Sequence, residues 1–185
     1  MASPGWRAVH RQTTVLGVFS TGLLLGALLS ATVLWLASGL AAPVPADWRA
    51  GATAALGLLA VARDAGVLRL RLPQNARQVP QDVLQRHLAR GALQFGFEMG
   101  TGVRTYVSAS LPYALALGVL LANDAGVALA AGLGFALGRA ATPALRFASG
   151  TGEEWDDRLL TRLPLLGLGA ATVATAAWAV LALRG

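Results

Sequence analysis

The fold class predicted by the sequence is all-α: a polytopic transmembrane helix bundle of about five spans forming one integral membrane domain over residues 1–185. Three observations predict it. Hydrophobic residues make up 55% of the chain and charged residues only 13%, with a mean hydropathy of +0.57; an ordinary soluble domain carries a charged fraction of about 25%. The apolar residues gather in runs of bilayer-spanning length. The basic residues, all fifteen of them arginine, concentrate in the segments between those runs, so the net charge of +6 reads as membrane topology and headgroup contact rather than nucleic-acid binding.

Taken in order, the first run covers residues 15–40 behind Arg7, His10 and Arg11. It is too long for the apolar part of a signal peptide, and Pro43 stands where cleavage would be needed, so it is read as an uncleaved span. Gly22 and Gly26 form a helix-packing pair within it. Trp35 and Trp48 bracket its exit as interfacial anchors. A second span follows at 48–68. It contains Arg63 and Asp64 near its end, where long side chains snorkel to water.

A basic loop, 69–90, carries Arg69, Arg71, Arg77, Arg86 and Arg90 against the single acid Asp82. The positive-inside rule makes it cytoplasmic, and no aromatic residues interleave the arginines as a nucleic-acid surface would require. The third span, 93–121, is too long for one upright helix, rich in glycine, and carries Pro112. It is read as one long kinked helix or as a half-helix followed by a crossing. Splitting it into two full crossings would give six spans and put Arg139, Arg146, Arg158 and Arg162 outside, so five spans with a cytoplasmic N-terminus are preferred. The fourth span is 125–141, with a packing pair at Gly134 and Gly138 and with Arg139 snorkelling inward. A cytoplasmic loop, 142–162, includes the acidic run EEWDD, which fits a capped helix start at Thr151 and Glu154 better than a calcium loop. The fifth span is 163–183.

The candidate site lies along the third span. His87, Arg90, Gln94, Glu98, Thr101, Thr105 and Ser108 recur at steps of three or four. At roughly 100° per residue they fall in a sector about 80° wide, a narrow polar stripe in an apolar helix. Ala92, Gly96 and Gly100 form a small-residue ridge on the other side. Arg104 is the candidate ion-pair partner of Glu98 if the glycines between them bend the helix.

The chain has no cysteine and only two histidines, His10 and His87. No metal site or cofactor is therefore expected, and thiol chemistry is excluded. No strand-to-helix glycine loop with a lysine offers a phosphate cradle, and neither Ser108 nor Ser110 has a histidine within reach, so an enzymatic role is not expected. GFEMGTG followed by Pro112 and a short span resembles the layout of small membrane carriers of thiol reductant. Such a carrier works through paired cysteines, so that electron relay is excluded here.

These readings lead to a multi-pass protein of the bacterial inner membrane. It is either of transporter type with the stripe as its polar site, or a non-catalytic subunit using the same stripe to contact a larger membrane complex. The expected partners are the lipid bilayer and other membrane subunits or a second copy, with no nucleic acid.

Overall fold

The computed structural model describes residues 12–69, 88–102, 109–150 and 152–184; His87, Arg104, Thr105 and Ser108 fall outside them. Six α-helices account for most of the described chain: α1 Gln12–Ser38, α2 Ala46–Asp64, α3 Leu88–Thr101, α4 Leu111–Ala122, α5 Ala125–Ser149 and α6 Gly152–Arg184. A single 3-10 turn, Gly39–Ala41, prolongs α1. The segments Gln12–Ala41, Ala125–Ser149 and Gly152–Val180 are long and apolar enough to cross a membrane, and α4 is a shorter apolar helix.

Several boundaries differ from those read in the sequence. The second helix stops at Asp64 instead of 68. Gly66, at φ +78°, turns the chain left-handed while its N–H bonds to Arg63 O (2.9 Å) and that of Val67 to Ala62 O (2.9 Å), the paired bonds that close a helix C-terminus. Residues 93–121 are not one continuous helix. α3 ends at Thr101, where Gly102 adopts φ +70°, and α4 starts at Leu111 with a proline in its first turn, a position that needs no amide donor. The expected loop 142–162 is largely helical. α5 continues through Pro143 to Ser149, where Gly150 at φ +66° ends it, and α6 begins with Glu153 and Glu154 in its first turn, acids that suit a helix N-terminus.

Contacts fix the helix directions. Gly96 lies against Phe19, and Gly100 against Leu23, so α3 runs parallel to α1. Ser38 meets Asn123, and Leu34 packs in the cluster of Val119, so α4 also runs parallel to α1. Asp64 reaches Ser110 while Arg49 reaches Leu121, which makes α2 and α4 antiparallel. α5 descends along α1, with Gly132 on Ala31 and Ala140 beside Leu16. The end at which Ser38 and Asn123 meet is called the upper end below.

The helices sort into two groups. α1, α3 and α5 pack together, and α2, α4 and α6 form the second group, with α4 bridging to α1. What is buried is small: among the described residues, seven of the twelve buried apolar ones are alanine, whereas Leu36, Leu165 and Val173 are 67%, 71% and 71% exposed. This distribution suits a lipid solvent. Hydrocarbon gives large apolar side chains no reason to hide, and small residues let backbones approach.

The closest approach is between α1 and α3. A Cβ at Gly22 would fall on the carbonyl of Leu93, and one at Gly26 on that of Phe97; a Cβ at Gly96 would fall on the carbonyl of Phe19, and one at Gly100 on that of Leu23. Each helix thus presents glycines to the other's carbonyls, a spacing that permits weak Cα–H···O contacts. Gly134 and Gly138 do not take part: both are exposed, and a Cβ at either would meet open space. The ridge that docks α5 is Ala128, Gly132 and Ala136, two residues earlier in register, with Gly132 against Ala31 and Ala27.

Candidate functional site

α3 ends and α4 begins beside neighbouring helices, and a helix end leaves backbone groups that need partners. At the start of α4 the partner is Asp64, whose side chain is only 7% exposed. Ser110 donates its backbone N–H to both carboxylate oxygens (3.1 and 3.0 Å) and its hydroxyl to Oδ1 (2.7 Å). Arg63 Nη1 donates to Asp64 Oδ1 (3.0 Å) and to Ser110 Oγ (3.0 Å). A carboxylate at a helix N-terminus, neutralised by a neighbouring guanidinium, is stabilised by the macrodipole and by the ion pair together. Arg63 and Asp64 therefore do not snorkel to water: they close the N-terminus of α4.

The same helix α2 closes the other end of α4. Arg49 Nη1 donates to Leu121 O (3.0 Å) and Ala122 O (3.4 Å), although its Nε is buried without a hydrogen-bond partner. Fifteen positions separate Arg49 from Asp64, about 22 Å of helix, and α4 with its caps is about as long. Asn123, left-handed at φ +52°, then turns the chain. Ser38 Oγ bridges its side chain (3.1 Å) and the carbonyl of Trp35 (2.5 Å).

The C-terminus of α3 is served from α1 and α5. Arg139 Nη1 donates to Met99 O (2.7 Å) while its guanidinium lies 5.2 Å from the centre of the Phe135 ring. Ser30 Oγ donates to Thr101 O (3.1 Å), and Thr101 Oγ1 donates to Glu98 O (2.8 Å). Arg139 was expected to reach toward the membrane edge; the carbonyl end of a broken helix is nearer and carries the opposite partial charge.

Of the polar stripe, Arg90, Gln94, Glu98 and Thr101 are described. Arg90 and Gln94 are exposed, Glu98 and Thr101 half-buried, and Gln94 Nε2 donates to Glu98 Oε1 (3.1 Å). The stripe points away from α1, because the opposite face is committed to the glycine contact. Elsewhere, Arg146 and Asp156 form a bidentate ion pair across the α5–α6 turn (2.7 and 2.6 Å).

Chemically, the centre of the molecule offers fixed charges set against helix ends and the hydroxyls of Ser30, Thr101 and Ser110. Ser110 gives its proton to a carboxylate that a guanidinium already holds, an arrangement for holding charge rather than for activating a nucleophile. Among the described residues no group of three His, Asp or Glu side chains converges as a metal site would require. Residue-by-residue reading missed Asp64, Arg49 and Arg139 as the side chains that cap the helix ends. The available signal was strongest for Arg139, a charge inside a long apolar helix, where unpartnered charge is costly; Arg49 and Asp64 stand at the two ends of α2. Comparison of the chain with protein families, curated proteins and solved structures returns no match.

Proposed function

We propose that the chain is a multi-pass protein of the bacterial inner membrane, of transporter type, with its polar site on the broken third crossing. The observation that carries this reading is the pair of parallel short helices α3 and α4, the end of one and the start of the other capped by charges from neighbouring helices, which we read as one broken crossing. Secondary transporters repeatedly place their sites at such discontinuous helices, where half-helix ends and unwound backbone can face a solute. The reading counts five crossings, α1, α2, α3 with α4, α5 and α6. The parallel course of α3 and α4 supports it, since two successive full crossings would run in opposite directions. The arginines at the lower end then lie in the cytoplasm with the N-terminus, and Trp35 and Trp48 lie at the outer interface.

In this reading the polar path runs along Arg90, Gln94, Glu98 and Thr101, with His87, Thr105 and Ser108 continuing it in sequence. The test is flux in vesicles containing the purified protein, screened across ions and amino-acid-like solutes. Glu98→Gln should leave folding intact and abolish a pH-dependent flux. No flux for any solute, with the protein folded, would sink the proposal. Topology is tested separately: a periplasmic reporter fused after Gly150 should be inactive and one fused after Gly185 active.

A second reading is favoured by one observation, the exposure of Arg90 and Gln94 on the side of α3 turned away from α1. In a bilayer such a face calls for cover, and a membrane subunit would give it interhelical hydrogen bonds. That reading predicts a chain that aggregates when purified alone and is monodisperse only with its partner.

A further inference from the structure

We infer that a groove between α1 and α5, in the lower half of the bundle, seats one acyl chain of an anionic phospholipid whose headgroup stands at the lower ends of these two helices. This goes beyond the transport reading and does not depend on it.

The groove follows from where α1 and α5 touch and where they part. Toward the upper end they are in contact: a Cβ at Gly132 would lie 2.9 Å from that of Ala31. Lower down, on the side of Gly17, a Cβ would meet nothing within 4 Å among the described residues. Gly22 and Gly26 of the same helix serve the contact with α3, whereas Gly17 opens space. That space is a groove of about 520 Å³, with Leu16, Gly17 and Ser20 on one wall and Leu137, Ala141 and Phe147 on the other, and its walls are mainly apolar.

Both walls belong to helices long and apolar enough to cross a membrane, so hydrocarbon is what surrounds the groove. Size decides between a lipid chain and a protein helix. From Leu137 to Phe147 the groove follows about 15 Å of α5, and a helix of that length, about 10–12 Å in diameter, occupies more than about 1,000 Å³. Such a helix would stand mostly outside, whereas an extended acyl chain enters. Lipid tails are as apolar as the walls, so the seated chain gains dispersion contacts on two sides rather than escape from water.

Charge then selects the headgroup. Residues 1–11 carry Arg7, His10 and Arg11 and no acid, and Arg11 stands two positions before Thr13, which lines the groove at its lower end. Arg146, next to Phe147, has its charge met by Asp156. The sequence bordering this mouth is therefore basic, and basic segments beside a bilayer favour anionic lipids.

The test is lipid retention and lipid response in detergent. Native mass spectrometry would count bound phospholipid, and thermal unfolding would be followed with added phosphatidylglycerol or phosphatidylcholine of matched chains. The unchanged protein should retain one phospholipid, and its Tm should rise with phosphatidylglycerol and less with phosphatidylcholine, as a ligand held by the folded state requires. Gly17→Leu and Ala141→Leu fill the groove from opposite walls and should each lose the retained lipid and the response. Gly17→Leu also replaces a helix-interior glycine with a good helix former, which favours folding. Gly169→Leu, at an open position of α6, should keep both. A response that the groove variants retain, no response in the unchanged protein, or equal responses to the two lipids overturns the inference. So does an unchanged protein that is dimeric and becomes monomeric with Gly17→Leu, which assigns the groove to a second copy.

Discussion

The two helix groups solve the same problem by opposite means. In a bilayer, helices gain little from burying apolar side chains against each other, because lipid tails are as apolar as leucine. α1, α3 and α5 are held by shape: glycines and alanines bring backbones together, and their main polar ties are the Arg139 and Ser30 caps on the end of α3. α2 and α4 are held by charge, with an acid on the amide end of α4 and a base on its carbonyl end. The difference teaches that shape fixes a helix along its whole length, whereas charge fixes it at its ends. α4 is short enough to be reached at both ends from one neighbour, α2.

The comparison can be broken most severely at Asp64. Asp64→Ala removes the cap of α4 together with the carboxylate that Arg63 pairs with, and should cost about 3–5 kcal/mol. Unfolding in detergent would measure it. Adding Arg63→Gln to the same chain should recover part of the loss, since the two residues act as a pair. A loss under about 1 kcal/mol for the single change would mean that α4 does not depend on its charges.

Overpacking tests the other group. Gly96→Leu or Gly100→Leu drives a side chain into the backbone of α1 and should cost about 1–3 kcal/mol or more, whereas Gly134→Leu, facing open space, should stay within about 0.5 kcal/mol of the unchanged protein. Similar losses at all three positions would show that glycine content, not the α1–α3 contact, sets stability.

Ser30→Ala removes one hydrogen bond to the end of α3 and should cost about 0.6 kcal/mol, the usual size of such bonds between membrane helices. Smallest of all is Arg146→Gln, at about 0.2–1 kcal/mol, with an effect that shrinks as salt is raised because the pair is exposed. A salt-independent loss would place that pair in a drier setting than its exposure indicates.

The helical membrane class was legible because composition and run length report directly on the solvent a chain is built for. Both glycine pairs, Gly22 with Gly26 and Gly96 with Gly100, could be read as packing surfaces from spacing alone. That they pack on each other could not: a four-residue step marks a face and says nothing about which face it meets. Gly134 and Gly138 show the limit, since the same spacing there points outward and the neighbouring register docks instead.

The charges were harder to read. Asp64 lies close to the end of its helix, where water is usually in reach, and its partner Ser110 is 46 residues away. Only the interruption between α3 and α4 brings them together. The break itself was half legible from the glycines and Pro112, but the fate of the cut ends depended on three other helices. Of the polar stripe, the periodicity places Gln94 and Glu98 side by side, and they do bond.

The central claim is that the start of α4 is held by the carboxylate of α2, and a double-mutant cycle between Asp64 and Ser110 tests it most directly. Asp64→Ala, Ser110→Ala and the double variant are unfolded under one set of conditions, and the coupling is taken from the three losses. The account predicts a coupling of about 1.5–3 kcal/mol, the size of a hydrogen bond to a buried charge. Losses that add to within about 0.3–0.5 kcal/mol, as they do for independent sites, would contradict it.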